Sequence, residues 1–225
     1  MYIRRALEDT VKKISESFPV LLVTGPRQVG KTTLLTHLAE DGRRYVTLDD
    51  PDVRATAKRD PALFLQRYTP PLLIDEIQYA PEILPYIKIY ADKSRKNGEF
   101  WLTGSQAFHM MKNVSESLAG RVGIVHMLGL SQSEIAGVPS EVFSTARDRL
   151  LARIEKTSKM GLIEIYSRIF RGSMPVLYGE NPPELPDFYR SYINTYLQRD
   201  IRDLTQVADE TAFFNFLTVA AARTA

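Results

Sequence analysis

Residues 25–32 read GPRQVGKT and match the pattern G-x-x-x-x-G-K-[ST] at every fixed position. They follow a short apolar run, PVLLVTG at 19–25, and overlap KTTLLTHLAEDG at 31–42, which is typical of a helix ending at Gly42. A strand, a glycine-containing loop and a helix in this order indicate a loop that binds phosphate through backbone N–H groups. The alternative is a chance match in a turn, which these flanking elements disfavour.

The loop predicts a set of contacts to a nucleotide. Its two glycines let the backbone curl around an anion, and the helix that follows begins with unpaired N–H groups. We expect Lys31 to reach the β- and γ-phosphates and the Thr32 hydroxyl to ligate Mg²⁺. The residues predicted to bind the nucleotide are Gly25, Pro26, Arg27, Gln28, Val29, Gly30, Lys31, Thr32 and Thr33.

Strand-like and helix-like segments alternate on both sides of this loop. Further apolar strands are predicted at 44–50, 71–77, 99–105 and 123–130, and PEILPYIKIYADKSRKNG at 81–98 has a helical spacing. Buried strands that alternate with helices predict an α/β fold, in which three layers are built on a parallel sheet.

The segment LLIDE at 72–76 ends an apolar strand with two carboxylates, as a Walker B strand does. We expect Asp75 to hold Mg²⁺ through its water shell and Glu76 to orient and polarise the attacking water. The alternative is a strand that merely ends in acids at the surface. The phosphate loop upstream favours the catalytic interpretation.

Two further segments contain candidates for contact with the γ-phosphate. WLTGSQ at 101–106 places Thr103 and Ser105 near the end of a strand, where either hydroxyl could bond the γ-phosphate or the water. Arg121, in SLAGRV at 117–122, is a candidate arginine finger that would neutralise charge on the transferred phosphoryl group. The alternatives are an ordinary polar strand end and a surface arginine paired with a nearby acid.

Composition bounds the remaining possibilities. The 225 residues are 44% hydrophobic and 25% charged, so we expect a packed core. The net charge is only +2, so we expect no general attraction to nucleic acid or to an anionic membrane. The absence of cysteine excludes disulfides and Cys-based zinc sites. No apolar run is long enough to span a membrane and residues 1–18 lack signal-peptide features, so we expect a soluble cytoplasmic protein.

The pattern changes after residue 131. Ser131 and Glu134 form a capping-box signature, and the rest of the chain has mainly helical periodicity. We therefore predict one domain at 1–135 and a helical region at 136–225, the start of a second domain. The apolar stretch at 211–225 has no cap, which indicates that the chain stops inside that second domain.

Five motifs together resemble a large bacterial and archaeal group of AAA-type ATPases. They are GPRQVGKTTLL, VTLDDP, LLIDEIQYAPEILPYIK, WLTGSQ and SLAGRV, with YLQRDIRDL at 196–204 resembling the start of the group's C-terminal region. The resemblance implies a parallel sheet with one strand inserted between the two Walker strands. It also implies ATP and Mg²⁺ as ligands, and a C-terminal domain of unknown function with a winged-helix-like part.

Three functions stay open at this point. The first is an ATPase that couples hydrolysis to a conformational change, and the second is a nucleotide-dependent switch that binds DNA and hydrolyses slowly. The third is a small-molecule kinase, against which the adjacent Asp75 and Glu76 argue, because a kinase needs no water-polarising glutamate. A DNA or protein partner would bind through the C-terminal region, and a homo-oligomer is possible.

Overall fold

A computed structural model describes residues 2–105, 114, 116–139, 144–156, 159–196 and 210–224. Within these ranges five strands form one sheet: β1 Val20–Gly25, β2 Arg44–Thr47, β3 Leu72–Asp75, β4 Phe100–Ser105 and β5 Val122–His126. Their order across the sheet is β2-β3-β4-β1-β5, and each neighbouring pair is parallel. Strand β4 therefore lies between the strand of the phosphate loop and the strand of Asp75, which confirms the predicted insertion.

The central strands are buried along their whole length. Every residue of β1, β3 and β4 is buried, whereas the edge strand β2 begins with two exposed residues. Strands covered on both faces read as continuous apolar runs, which is why the sequence predicted them. The predicted strands at 44–50, 71–77 and 123–130 are shorter in the structure, because their last residues leave the sheet to form the loops above it.

Two apolar layers lie on opposite faces of the sheet because successive strand residues point to opposite sides. Leu22, Ile74 and Leu102 pack in the larger cluster, which the helices of residues 51–94 cover. Leu21, Leu73 and Trp101 pack on the other face with residues of the helices that precede and follow β1. This arrangement is the predicted three-layer α/β fold.

The helices of the first region have the following bounds: α1 Glu8–Ser17, α2 Lys31–Leu38, α3 Pro51–Arg59, α4 Pro61–Arg67, α5 Leu84–Ser94 and α6 Gln132–Ile135. Helix α2 ends at Leu38, before the predicted stop at Gly42, and α5 begins after two 3₁₀ turns at Ile77–Tyr79 and Pro81–Ile83. Asp50 caps α3 by accepting bonds from the N–H groups of Asp52 and Val53, so it is an N-cap.

The described residues after 131 are helical, as predicted. They form α6, then α7 Arg147–Lys156, α8 Leu162–Arg171, a 3₁₀ turn at Pro175–Tyr178, α9 Leu185–Tyr196 and α10 Glu210–Thr224. The turn after α8 packs back on the first region, since Leu130 N donates to Ser173 O at 2.7 Å and Met174 packs against the apolar layer of Leu21 and Trp101. The motif at 196–204 lies outside the described residues except for Tyr196.

In the part of the chain that the structure describes, no helix combines the length and the apolar character that crossing a bilayer requires. The boundary between residues 135 and 136 stays a prediction.

Candidate nucleotide-binding site

The phosphate loop leaves the carboxyl end of β1 with a backbone that few side chains allow. Gly25 has φ +154°, and a Cβ added there would lie 2.0 Å from the carbonyl oxygen of Met127. Gln28 and Gly30 have φ values of +60° and +92°, both in the left-handed region. A run of such residues turns successive N–H groups toward one side, which forms a concave site for an anion.

Lys31 extends from the first turn of α2 back into the loop. Its ammonium donates to the carbonyl oxygens of Gly25 at 3.1 Å and Pro26 at 2.8 Å. The side chain therefore lies inside the curl of the loop, as a lysine that meets phosphate should. The other predicted contact residues differ in exposure, since Val29 is buried whereas Gln28 and Thr33 are exposed.

Asp75 is the centre of a group of hydroxyls at the end of β3. Its Oδ1 accepts hydrogen bonds of 2.6 Å from Thr32 Oγ1 and 2.6 Å from Thr103 Oγ1, and its Oδ2 accepts one of 3.2 Å from Tyr45. Burial, and after it the charge of Asp75, raises the pKa of the Tyr45 phenol. The carboxylate of Asp75 and the hydroxyl of Thr32 are oxygen donors of the kind that Mg²⁺ prefers, so these residues fit that ion.

Glu76 sits at a turn that directs its side chain. Its φ is +58°, a conformation that costs a non-glycine residue energy and persists where neighbours hold it. The neighbours are Thr103, whose Oγ1 accepts the Glu76 N–H at 3.0 Å, and the 3₁₀ turn, where Tyr79 N donates to Glu76 O at 3.0 Å. The two acidic residues of the strand end are therefore held by different groups: hydroxyls bond the carboxylate of Asp75, and Thr103 and the 3₁₀ turn bond the backbone of Glu76.

Gln78 is a site residue that the sequence analysis missed. Its side-chain amide nitrogen donates to the carboxylate of Glu76 and, at 3.2 Å, to Ser105 Oγ. Its buried Oε1 accepts no hydrogen bond from the residues that the structure describes. Glutamine two residues after a strand has no periodic signal, so only its placement in the 3₁₀ turn could have pointed to it.

Thr103 and Ser105, which the sequence left as alternatives, have different surroundings. Thr103 is completely buried and its hydroxyl is occupied by Asp75 and by the Glu76 N–H. Ser105 is the last residue of β4, one pleat nearer the loops, and its hydroxyl meets the Gln78 amide. The geometry favours Ser105 as the group that would contact a phosphate or water, and Thr103 as a support beneath Asp75. Gln106 lies outside the described residues.

Arg121 lies at the amino ends of the strands, whereas the phosphate loop follows the carboxyl end of β1. Val20 N, at the start of β1, donates to Arg121 O, and Gly25 ends that strand five residues later, roughly 16 Å away. The guanidinium is paired with Asp92, with Nη2 at 3.0 Å from Oδ2, and its hydrogen bond lowers the pKa of that carboxyl. Within one chain this guanidinium is therefore held by Asp92 away from the phosphate loop, and the role of Arg121 as an arginine finger stays a prediction.

Two family models match the chain. The AAA domain model matches residues 17–136, which contain the sheet and the groups around Asp75. A model described as Domain of unknown function (DUF8612) matches residues 163–225.

Curated relatives come from mycobacteria. Uncharacterized protein Rv2008c of Mycobacterium tuberculosis and uncharacterized protein Mb2031c of Mycobacterium bovis are each 30% identical to this chain over 202 residues. The match covers 89% of this chain and 40% of each relative. This chain therefore spans well under half the length of these relatives.

Solved structures resemble this chain at low identity and with TM-scores below 0.5. A DNA replication initiation factor is 11% identical with a TM-score of 0.43, and the match covers 97% of this chain and 87% of that one. A signal transduction ATPase with numerous domains, from Pyrococcus horikoshii, is 12% identical with a TM-score of 0.45, covering 86% and 32% of the two chains.

Proposed function

This chain belongs to the AAA domain family, and from that premise we propose that it binds ATP with Mg²⁺ and hydrolyses it. The observation that carries the proposal is the contact between Thr32 of the phosphate loop and Asp75, with Glu76 next along the chain. This contact joins the residues that would bind phosphate to those that would activate water. Bound Mg²⁺ would neutralise charge on the phosphates.

The residues divide the reaction between them. Lys31 exchanges its bonds to the Gly25 and Pro26 carbonyls for bonds to phosphate oxygens, and the N–H groups of the loop bond the same oxygens. Glu76 orients a water molecule toward the γ-phosphorus and accepts its proton. The new P–O bond forms as the bond to the β-phosphate bridging oxygen breaks, which leaves ADP and inorganic phosphate, and the proton passes from Glu76 to solvent.

Hydrolysis of this kind would be coupled to a conformational change in the C-terminal region. The packing of Ser173 and Met174 against the first region supports such coupling, because Ser173 O accepts the Leu130 N–H and Met174 packs on the apolar layer of Leu21 and Trp101. A DNA or protein partner would bind through the same region.

The test is release of inorganic phosphate from ATP by the full-length natural protein, without any second substrate. We expect turnover that Lys31→Ala abolishes through loss of ATP binding, and that Glu76→Gln slows about 10²-fold with ATP still bound. Glu82→Gln is the matched control, since Glu82 is an exposed glutamate outside the site. Binding titrations separate the two effects.

Three results would contradict the proposal or redirect it. Equal turnover in wild type and Glu76→Gln would remove the catalytic role of this residue. Turnover that requires a small-molecule acceptor would favour a kinase. Tight ATP binding with negligible turnover, changed by DNA, would favour a nucleotide-dependent switch.

A further inference from the structure

Arg5 joins three separate parts of the chain around the back of the phosphate loop. It is 6% exposed and lies outside residues 17–136, which the AAA domain model matches. Its Nη1 donates to Val29 O at 2.9 Å, its Nη2 donates to Leu128 O at 2.8 Å and to Gly129 O at 3.2 Å, and its Nε donates to Glu134 Oε1 at 3.0 Å. Each nitrogen of the guanidinium is thus bonded to the protein.

We propose that Arg5 is a positioning residue of the phosphate loop and that Glu134 holds it in place. The inference rests on the proposed nucleotide site and adds to it two residues outside the loop. Arg5 acts through the backbone, because its nitrogens all bond protein oxygens.

The bond from Arg5 to Val29 fixes the orientation of one peptide group in the loop. A trans peptide is planar, and its carbonyl and the following N–H point in opposite directions. Because Arg5 holds the Val29 carbonyl at the back of the loop, the Gly30 N–H is directed to the other side, toward the concave surface. Arg5 therefore prepares one of the donors that would bind phosphate.

The loop needs such an external contact. Gln28 and Gly30, on either side of Val29, both have positive φ, and the left-handed conformation at Gln28 is unfavourable without support. Val29 itself is buried in the apolar layer beside α2, so its side chain is also held. The side chain of Val29 and the bond from Arg5 together hold the middle of the loop.

Glu134 in turn holds Arg5, and both oxygens of its carboxylate accept hydrogen bonds. Its Oε1 also accepts the Ala6 N–H at 2.8 Å, and its Oε2 accepts the Ser131 N–H at 2.7 Å as part of the capping box of α6. Burial would raise the pKa of Glu134, but the bonds from Ser131, Ala6 and Arg5 outweigh burial and lower it. Removing this carboxylate would leave a buried guanidinium unpaired, which is strongly unfavourable.

The affinity for nucleotide should therefore depend on Glu134, which lies in α6, where the chain leads into the C-terminal helices. The test is calorimetric titration of the full-length natural protein with ADP in the presence of EDTA, so that neither Mg²⁺ nor hydrolysis contributes. The variants are Arg5→Met, Arg5→Lys and Glu134→Gln. We expect Arg5→Met to weaken ADP binding about tenfold, as the loss of one charge-assisted hydrogen bond would, with smaller losses for the other two.

A matched control separates positioning from general stability. Phe64 is completely buried in α4 on the opposite face of the sheet, so Phe64→Leu should lower Tm and leave the Kd for ADP unchanged. If Arg5→Met does not fold, Arg5→Lys, which keeps the positive charge beside Glu134, carries the same test. Folded variants that all bind ADP as tightly as wild type would overturn the inference, whereas wild type that does not bind ADP would instead overturn the proposed function.

Discussion

Thr32 Oγ1 donates a hydrogen bond of 2.6 Å to Asp75 Oδ1, although 43 positions separate the two residues in the chain. The contact brings the first turn of α2 against the end of β3, so a hydroxyl and a carboxylate that both suit Mg²⁺ lie side by side. Thr103 and Tyr45 add two more hydroxyls to the same carboxylate. Asp75 is therefore oriented before any ligand arrives.

This relationship predicts that Asp75→Asn weakens Mg²⁺ binding, so that turnover requires a higher Mg²⁺ concentration. The amide carries no charge to attract the ion, and its nitrogen, in the place of Oδ2, cannot accept the bond that Tyr45 donates. We expect the Mg²⁺ concentration for half-maximal turnover to rise at least about tenfold. Titration of ATPase activity with Mg²⁺ measures it, and Asp49→Asn is the control at an exposed acid. An unchanged half-maximal concentration would rule out Asp75 as part of the metal site.

The different surroundings of Thr103 and Ser105 predict different effects of replacing them, on stability at Thr103 and on kcat at Ser105. Thr103→Val removes a buried donor to Asp75 and the acceptor of the Glu76 N–H, so it should lower the unfolding free energy by about 1–3 kcal/mol. Ser105→Ala should leave stability nearly unchanged and lower kcat. Thermal unfolding and steady-state kinetics of both variants compare the two. A normal kcat in Ser105→Ala would return the choice between the two residues to Thr103.

The contact between Gln78 and Glu76 predicts a role in orienting the carboxylate. Gln78→Leu keeps the size of the side chain but donates no bond to Glu76, so we expect kcat to fall about tenfold, less than the ~10²-fold loss from replacing Glu76 itself. ADP affinity should be unchanged. Gln78→Glu is the companion variant, since a second carboxylate there would repel Glu76. A kcat equal to wild type in Gln78→Leu would show that the bond is dispensable.

The fold could be predicted largely from the sequence because its signals are local. The apolar runs at 20–25, 72–75 and 100–105 mark strands buried on both faces, and the glycines of GPRQVGKT mark the turn between β1 and α2. The insertion of β4 between β1 and β3 was implied by the family resemblance and is confirmed by the pairing of these strands.

What the sequence did not predict depends on contacts between distant segments. Tyr45 reaches Asp75 because β2 pairs with β3 in a register that aligns Thr47 with Asp75, and hydrophobic periodicity does not determine register. Arg5 meets Glu134 across 129 positions, which no spacing rule anticipates. The position of Arg121 is different, since topology alone predicts it: a residue just before a parallel strand lies at the amino ends of the strands, away from the loops that follow their carboxyl ends.

Arg121 therefore yields a prediction that distinguishes a role within its own chain from a role in the site of a neighbouring chain. Within one chain its guanidinium is paired with Asp92 far from the phosphate loop, so Arg121→Ala in monomeric protein should leave kcat unchanged. Turnover measured across a range of protein concentrations checks this, with Asp92→Asn as the matched variant that breaks the same pair. A kcat that falls only in Arg121→Ala, and only where the protein assembles, would assign Arg121 to the site of a neighbouring chain.

The lowered pKa of Glu134 predicts how stability responds to acid. A carboxyl whose pKa is lower in the folded protein than its ordinary value of 4.5 stabilises the fold fully above that value, and this contribution is lost as the pH falls through the folded pKa. At pH 7 the Glu134→Gln variant should be about 3 kcal/mol less stable than wild type, because Arg5 loses its buried partner.

The difference in unfolding free energy between wild type and Glu134→Gln should then narrow as the pH falls below 4.5, since wild type also loses the charge on Glu134 there. Denaturant unfolding of both proteins between pH 7 and pH 3 measures the difference, and Glu82→Gln is the control at an exposed glutamate. A difference that stays constant with pH would show that Glu134 stabilises the fold through its shape and hydrogen bonds alone.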